Sequence, residues 1–246
     1  MAGHSKWANI KHRKGAQDSK RAKIFTKILK EVTIATKDNG PDPNFNPRLR
    51  LALQNAKGAN IPKDTVERAV NKGAGVDAQN YSEVTYEGYA PNGIAVFVEC
   101  TTDNINRTVQ NVRAAFTKYH GSLGTNGSLS FIFERKGIFN LPKANLNEDE
   151  FIFEAIDAGA EDVEVQDDFF IITTSLENFG PMQKKLEELG LEAESAQLER
   201  IPNTTTTLDI ESSKRVMKLI DYLEDDDDVQ NVYHNMELTQ ELMEQL

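Results

Sequence analysis

The sequence predicts an α+β protein in which a basic N-terminal helical bundle precedes two ferredoxin-like α/β sandwich domains, one inserted in the other. Apolar residues recur at helical spacing before residue 75, and strands and helices follow the order βαββαβ between residues 136 and 203. One helix and one strand then remain, and they would complete the unit that begins near residue 80. The predicted domains are residues 1–75, residues 76–135 with 204–246, and the insertion 136–203.

The first N-terminal helix has clear boundary signals. Asp18 or Ser19 can cap its start, and the apolar repeat ends near Asn39-Gly40, just before two prolines. A helix of this length needs partners for its apolar side, because most helical stability in proteins comes from packing.

Two shorter helices should supply those partners. Asn46 can cap the second helix, with Pro47 at its first position and Gly58 at its end. The third helix runs from Pro62 to Gly73. Together the three helices are expected to form a small bundle.

Residues 80–133 predict strands and one helix. The strands are expected at residues 84–86, 94–99 and 128–133. Thr102, Asp103 or Asn106 can cap the helix between them, which should end at His120-Gly121. The glycine-rich segment 121–127 lacks the Lys-Ser/Thr of a nucleotide-binding loop, so we expect a mobile connection.

The rest of the chain alternates strand and helix. Inside the insertion we expect a strand at 138–140, a helix at 148–158, strands on either side of Asp167-Asp168, a helix at 179–189 and a strand at 192–199. A helix at 212–223 and a strand at 229–233 follow. The second set would close the sheet that the insertion interrupts.

Charge is distributed unevenly along the chain. Residues 1–75 contain sixteen Lys or Arg and six Asp or Glu, a net charge of +10, whereas residues 76–246 contain twelve and thirty-three, a net charge of −21. Lys and Arg neutralise phosphates and release condensed counterions, so the basic segment indicates a polyanionic partner. The alternative is that these residues are only the solvated sides of ordinary helices.

Four lysines of the first helix recur at steps of three, four and three residues, which places them on one side, nearly opposite the apolar residues. We call them the lysine stripe: Lys20, Lys23, Lys27 and Lys30. Solvated helix faces usually mix charges of both signs, yet only Glu31 lies near this stripe. The pattern therefore favours contact with phosphates.

A basic arm, residues 1–16, precedes this helix and shows no apolar periodicity. Its Trp7 can stack on an exposed base or anchor the arm to the protein. The predicted nucleic-acid-binding residues are Lys6, Trp7, Lys11, Arg13, Lys14, Lys20, Arg21, Lys23, Lys27 and Lys30. No helix-turn-helix, zinc ligand set or aromatic RNA-recognition motif is present, so sequence-specific base recognition is not predicted.

Other chemistry is poorly supported. The four histidines are not spaced as metal ligands are, so no metal site is predicted. Cys100, the only cysteine, lies at the end of an apolar strand, which is typical of an inert buried thiol, so no cysteine nucleophile is predicted. No signal peptide or membrane span is visible, which makes the cytoplasm the expected compartment.

The run Asp225–Asp228 follows a predicted helix C-terminus, where negative charge opposes the helix dipole. A solvated turn is the simpler interpretation. Contact with a basic partner, or with the protein's own basic domain, is the alternative.

Several long strings are distinctive: MAGHSKWANIKHRK (1–14), KIFTK (23–27), NAKGANIPK (55–63), YEGYAP (86–91) and DDVQNVYH (227–234). On these strings the chain resembles the YebC/PmpR family over essentially its whole length. The four consecutive aspartates are a small departure from the family pattern.

The resemblance implies a basic helical domain and two α/β domains, one inserted in the other, in a cytoplasmic protein that is not an enzyme. It also implies a probable transcriptional regulator that binds duplex DNA, without cofactor, membrane or small-molecule substrate. Some members, including mitochondrial translational activators, act instead at the ribosome, on ribosomal RNA, and ease stalling on proline-rich nascent chains. A metal-dependent nuclease or hydrolase is the third alternative.

Overall fold

The computed structural model describes residues 17–75, 80–143 and 146–245, with the side chains of residues 17–21, 244 and 245 outside that description. The helices are α1 (Gln17–Asn39), α2 (Pro47–Gly58), α3 (Lys63–Ala74), α4 (Ile105–Lys118), α5 (Glu148–Asp157), α6 (Phe179–Glu188), α7 (Ile210–Glu224) and α8 (Gln240–Gln245). The strands are β1 (Ser82–Tyr89), β2 (Ala95–Thr102), β3 (Ser122–Leu123), β4 (Phe133–Pro142), β5 (Ala160–Val165), β6 (Phe169–Ser175), β7 (Ser195–Pro202) and β8 (Val229–His234). The predicted α+β class is confirmed.

The N-terminal helices begin and end close to their predicted residues. Asn46, completely buried, caps α2: its side-chain oxygen accepts from Leu49 N at 3.0 Å, while its amide donates to Ala35 O at 2.6 Å and Gly40 O at 2.8 Å. Gly40 has a φ of 87°, which a residue with a side chain adopts only at a cost. One asparagine therefore ends α1 and starts α2.

The first sheet has the strand order β3-β1-β2-β8. β1 and β2 form an antiparallel hairpin in which Tyr86 lies opposite Val98, and β8 adds antiparallel to β2. Helices α4 and α7 pack on one face, where Phe116 and Leu219 are fully buried. Cys100 is buried in the same core.

Two predictions for the segment before β4 were wrong. Residues 128–132 form turns rather than a strand, and β4 begins only at Phe133. The buried Glu87 carboxylate accepts from the backbone N–H of Gly127 at 2.7 Å and of Leu129 at 2.5 Å, so these groups are satisfied without a strand partner. The segment 121–127, predicted to be a mobile connection, is likewise bonded, with Gly124 N donating to Glu87 O at 2.7 Å.

The predicted caps of α4 were also wrong. Asn104 caps this helix by accepting from Arg107 N at 3.1 Å. Thr102, one of the predicted caps, instead accepts from Asn104 N at 2.9 Å and donates to Asp228 at 3.1 Å. Thr102 is thus hydrogen-bonded to Asp228, and Asn104 is the residue whose side chain caps α4.

The second sheet has the order β5-β6-β4-β7, which is the order of a ferredoxin-like βαββαβ unit. β6 pairs antiparallel with both β4 and β5. Its core lies under α5 and α6, where Phe139, Phe170 and Met182 are fully buried.

Contacts group the described chain into two compact units. One contains residues 17–27, 80–134 and 201–245, and the other contains residues 28–75, 135–143 and 146–200. The domain boundaries at residues 75, 135 and 203 stay predictions. In the described part of the chain, no helix combines the length and apolar character needed to cross a membrane.

Candidate nucleic-acid interface

The predicted contact residues fall into three groups. The arm residues, Lys6, Trp7, Lys11, Arg13 and Lys14, lie outside the described part of the chain. Lys20 and Arg21 lie on the first turns of α1, with their side chains outside the description. The side chains of Lys23, Lys27 and Lys30 are described, and their nucleic-acid contact stays a prediction.

Two lysines of the stripe have partners within their own contact unit. Lys23 forms an ion pair with Asp225, the residue that directly follows α7. One turn further along α1, Lys27 Nζ donates to the backbone oxygen of Gln230 on β8 at 3.2 Å. The middle of the lysine stripe therefore lies against the residue that follows α7 and the start of β8.

One cation of α2 also contacts acidic side chains of α1. Arg48 binds Glu31 through two hydrogen bonds of 2.6 and 3.0 Å and reaches Asp38 at 3.2 Å. Glu31, the acidic residue closest to the stripe, is thus held by α2. Lys30 is half-buried.

The run Asp225–Asp228, which we call the acidic turn, is anchored at its last residue. Asp228 is 6% exposed, and Arg107 donates to both of its carboxylate oxygens at 2.9 and 2.7 Å. Thr102 and Thr108 donate to the same group at 3.1 and 2.9 Å. For Asp228, the interpretation as part of a solvated turn was wrong.

This network also sets the ionisation of Asp228. Burial alone would raise the pKa of the carboxyl, but the hydrogen bonds from Arg107, Thr108 and Thr102 outweigh burial and hold the pKa below its usual value. Asp228 is therefore a charged, buried anchor.

Asp226 orients the rest of the acidic turn. One of its carboxylate oxygens accepts from the backbone N–H of Asp228 at 2.9 Å, and the other accepts from the Asn111 amide at 2.9 Å. Asp225 keeps a side chain that is 68% exposed and faces Lys23.

The string NAKGANIPK, residues 55–63, begins with a docking contact within the second unit. The Asn55 amide donates to Ala196 O and its oxygen accepts from Ala196 N, both at 2.9 Å. Ala196 lies on β7, an edge strand of the second sheet. Gly58 lies so close to this chain that a Cβ would be 1.8 Å from Glu194 O. The start of this string thus covers a sheet edge.

Sequence reasoning missed the Arg107–Asp228 network and the Asn55 contact. A weak signal existed for the first, since acidic residues after a helix C-terminus need compensating charge. Among the side chains that the structure describes, no group of three or more His, Cys, Asp or Glu could hold a metal ion.

The chain is similar to known proteins along its length. Residues 5–76 match the model of the TACO1/YebC protein N-terminal domain, and residues 81–236 match the TACO1/YebC second and third domain. A probable transcriptional regulatory protein of Amoebophilus asiaticus is 56% identical, with 96% of this chain and 98% of that protein covered. One of the same description from Persephonella marina is 49% identical over the full length of both.

A solved structure shows the same fold. The crystal structure of a conserved hypothetical protein from Aquifex aeolicus matches with a TM-score of 0.80 at 44% identity, covering 91% of this chain and 93% of that one. The family models together match most of the sequence, and full-length relatives are about half identical to it. The chain belongs to the TACO1/YebC family.

Proposed function

We propose that this protein is a non-enzymatic regulator of gene expression that binds DNA through its basic N-terminal segment. The main support is the uneven distribution of charge: a segment of net charge +10 is joined to a remainder of net charge −21, and a basic segment binds phosphates. The description of its relatives as probable transcriptional regulatory proteins supports a role in transcription.

The contacts indicate where the basic segment is best suited to phosphates. From residue 22 onward, Lys23, Arg48, Lys57 and Arg68 contact carboxylates of the protein itself. Residues 1–21, in contrast, contain six Lys or Arg and a single acidic residue, Asp18. The sequence of the arm and the start of α1 therefore has the highest density of positive charge in the basic segment.

Neutralising the arm should weaken binding to duplex DNA by at least about tenfold at low salt. The variant replaces Lys6, Lys11, Arg13 and Lys14 with glutamine. The full chain is used because α2 hydrogen-bonds to Ala196, a residue that an N-terminal fragment would lack. The slope of log affinity against log salt should fall by about 0.9 for each lost phosphate contact. Fluorescence anisotropy with a labelled duplex measures both quantities.

A matched control removes four exposed charges elsewhere, at Arg113, Lys184, Arg215 and Lys218. This variant loses the same net charge but leaves the arm intact, so its affinity should change far less. Equal losses in the two variants would show that the arm is not the binding surface.

A ribosome-associated translation factor that relieves stalling on proline-rich nascent chains is the second candidate function. The lysine stripe favours this function, because lysines bind phosphates as point charges and discriminate little between base sequences. An RNA-rich particle could instead provide specificity through its shape.

Competition at physiological salt separates the two candidates. We expect the affinity for genomic promoter fragments to exceed the affinity for random duplex by about tenfold or less, since a phosphate-binding surface discriminates weakly between sequences. Purified ribosomes serve as the third competitor. A promoter preference of about a thousandfold, without ribosome binding, would exclude the translational function, whereas preferential ribosome binding would exclude direct action on promoters.

A further inference from the structure

We infer that the acidic turn is an autoinhibitory element, in which the Asp225 carboxylate occupies Lys23 in place of a nucleic-acid phosphate. This inference rests on the proposed function, because it requires that the lysine stripe contact phosphates. Carboxylate and phosphate oxygens are both anionic acceptors for an ammonium group, so the two compete for the same side chain.

The contact is positioned by two neighbouring interactions. Lys23 and Lys27 are one helical turn apart on α1 and both reach the connection between α7 and β8, at Asp225 and Gln230. The helix thus contacts one residue of the acidic turn and one residue of β8, and both contacts lie within one compact unit of the chain.

Hydrogen bonds of two neighbouring residues hold the acidic turn in this position. Asp228 is fixed by Arg107 and two threonines, and Asp226 is fixed by Asn111 and by the backbone of Asp228. The Asp228 anchor is buried and the Asp226 contact with Asn111 is exposed, while the Asp225 carboxylate pairs with Lys23 on α1. A negative charge at the end of α7 is unfavourable by itself, because it lies at the negative end of the helix dipole, and Lys23 compensates for it.

The inhibitory contact is weak enough for a polyanion to displace. The Lys23 side chain is 37% exposed and the Asp225 side chain 68% exposed, so water and salt screen their attraction. An exposed ion pair of this kind changes a competing equilibrium by about two- to fivefold. The acidic turn would therefore disfavour weak, nonspecific binding while permitting binding to a dense phosphate surface.

The test compares Asp225→Asn with Glu211→Gln, which removes the same charge from the exposed start of α7. Anisotropy titrations with a random duplex at low salt measure the affinity of each full-length variant. We expect Asp225→Asn to bind about two- to fivefold more tightly than wild type, and Glu211→Gln to bind like wild type. Equal affinities for the two variants would overturn the inference.

A double-mutant cycle assigns the effect to the Lys23–Asp225 pair. In a Lys23→Gln background, Asp225→Asn should give no further gain, since the pair is already broken. A gain that persists in this background would show that Asp225 acts only through general charge, and it would also overturn the inference.

Hydrogen exchange distinguishes this failure from failure of the proposed function. Asp225→Asn should increase backbone exchange in residues 17–27 of α1, whereas residues 28–39, which group with the other unit, should be unchanged. If no variant binds nucleic acid, the proposed function and the inhibitory role both fail, and the exchange data alone report on the contact. If binding occurs without the expected gain, only the autoinhibition fails.

Discussion

Gly58→Ala should destabilise the protein by about 3 kcal/mol, because a methyl group at this position cannot be accommodated without moving backbone. The added Cβ would lie 1.8 Å from the carbonyl oxygen of Glu194 and 2.7 Å from its carbon. Relief requires α2 to move away from the chain before β7. That movement would also strain the paired hydrogen bonds between Asn55 and Ala196.

Urea unfolding of the full chain measures this effect, and Gly180→Ala provides the matched control. Gly180 lies in α6, and no atom lies within 4 Å of the position that an added Cβ would take, so alanine should be neutral or stabilise by up to about 1 kcal/mol. A Gly58→Ala variant as stable as wild type would show that α2 does not pack closely on this segment.

Asp228→Ala should cost roughly 3 kcal/mol of folding stability. The substitution leaves the hydroxyl group of the fully buried Thr102 without its acceptor, whereas Thr108 can still donate to Asn104 O at 3.0 Å. Arg107 is half-exposed and can rehydrate, so Thr102 and the lost charge-assisted hydrogen bonds carry most of the loss. Thermal and urea unfolding measure the stability of this variant and of Asp227→Ala, which changes an exposed neighbour in the same turn. The difference between the two variants gives the contribution of the network.

The same residue predicts a dependence of stability on pH. The folded state holds the pKa of Asp228 below its ordinary value, which is about 3.9 in an unfolded chain. Its stabilisation is therefore fully present above the unfolded pKa and is lost as the pH falls towards the folded pKa. Asp228→Asn should flatten this part of the acid-unfolding curve. An unchanged slope would contradict the assigned role.

Local sequence patterns determined the fold class and most element boundaries. Asn46-Pro47 marked the start of α2, and the alternation of strands and helices gave the ferredoxin-like order of the second sheet. These signals operate over a few residues, because caps, turns and hydrophobic periodicity depend on neighbours in the chain. The long strings of the sequence likewise identified the family, which the family models and the full-length relatives confirm.

Tertiary structure alone decided how the charged residues are used. Spacing placed the lysines on one side of α1, but Lys23 meets Asp225 across 202 residues of sequence. In the same way, Glu87 replaces a strand partner for residues near 128, and Asp228 is buried rather than solvated. Partners so distant in sequence are chosen by packing of the whole chain, so the sequence alone determined which residues carry charge, and only the fold determined which charges meet.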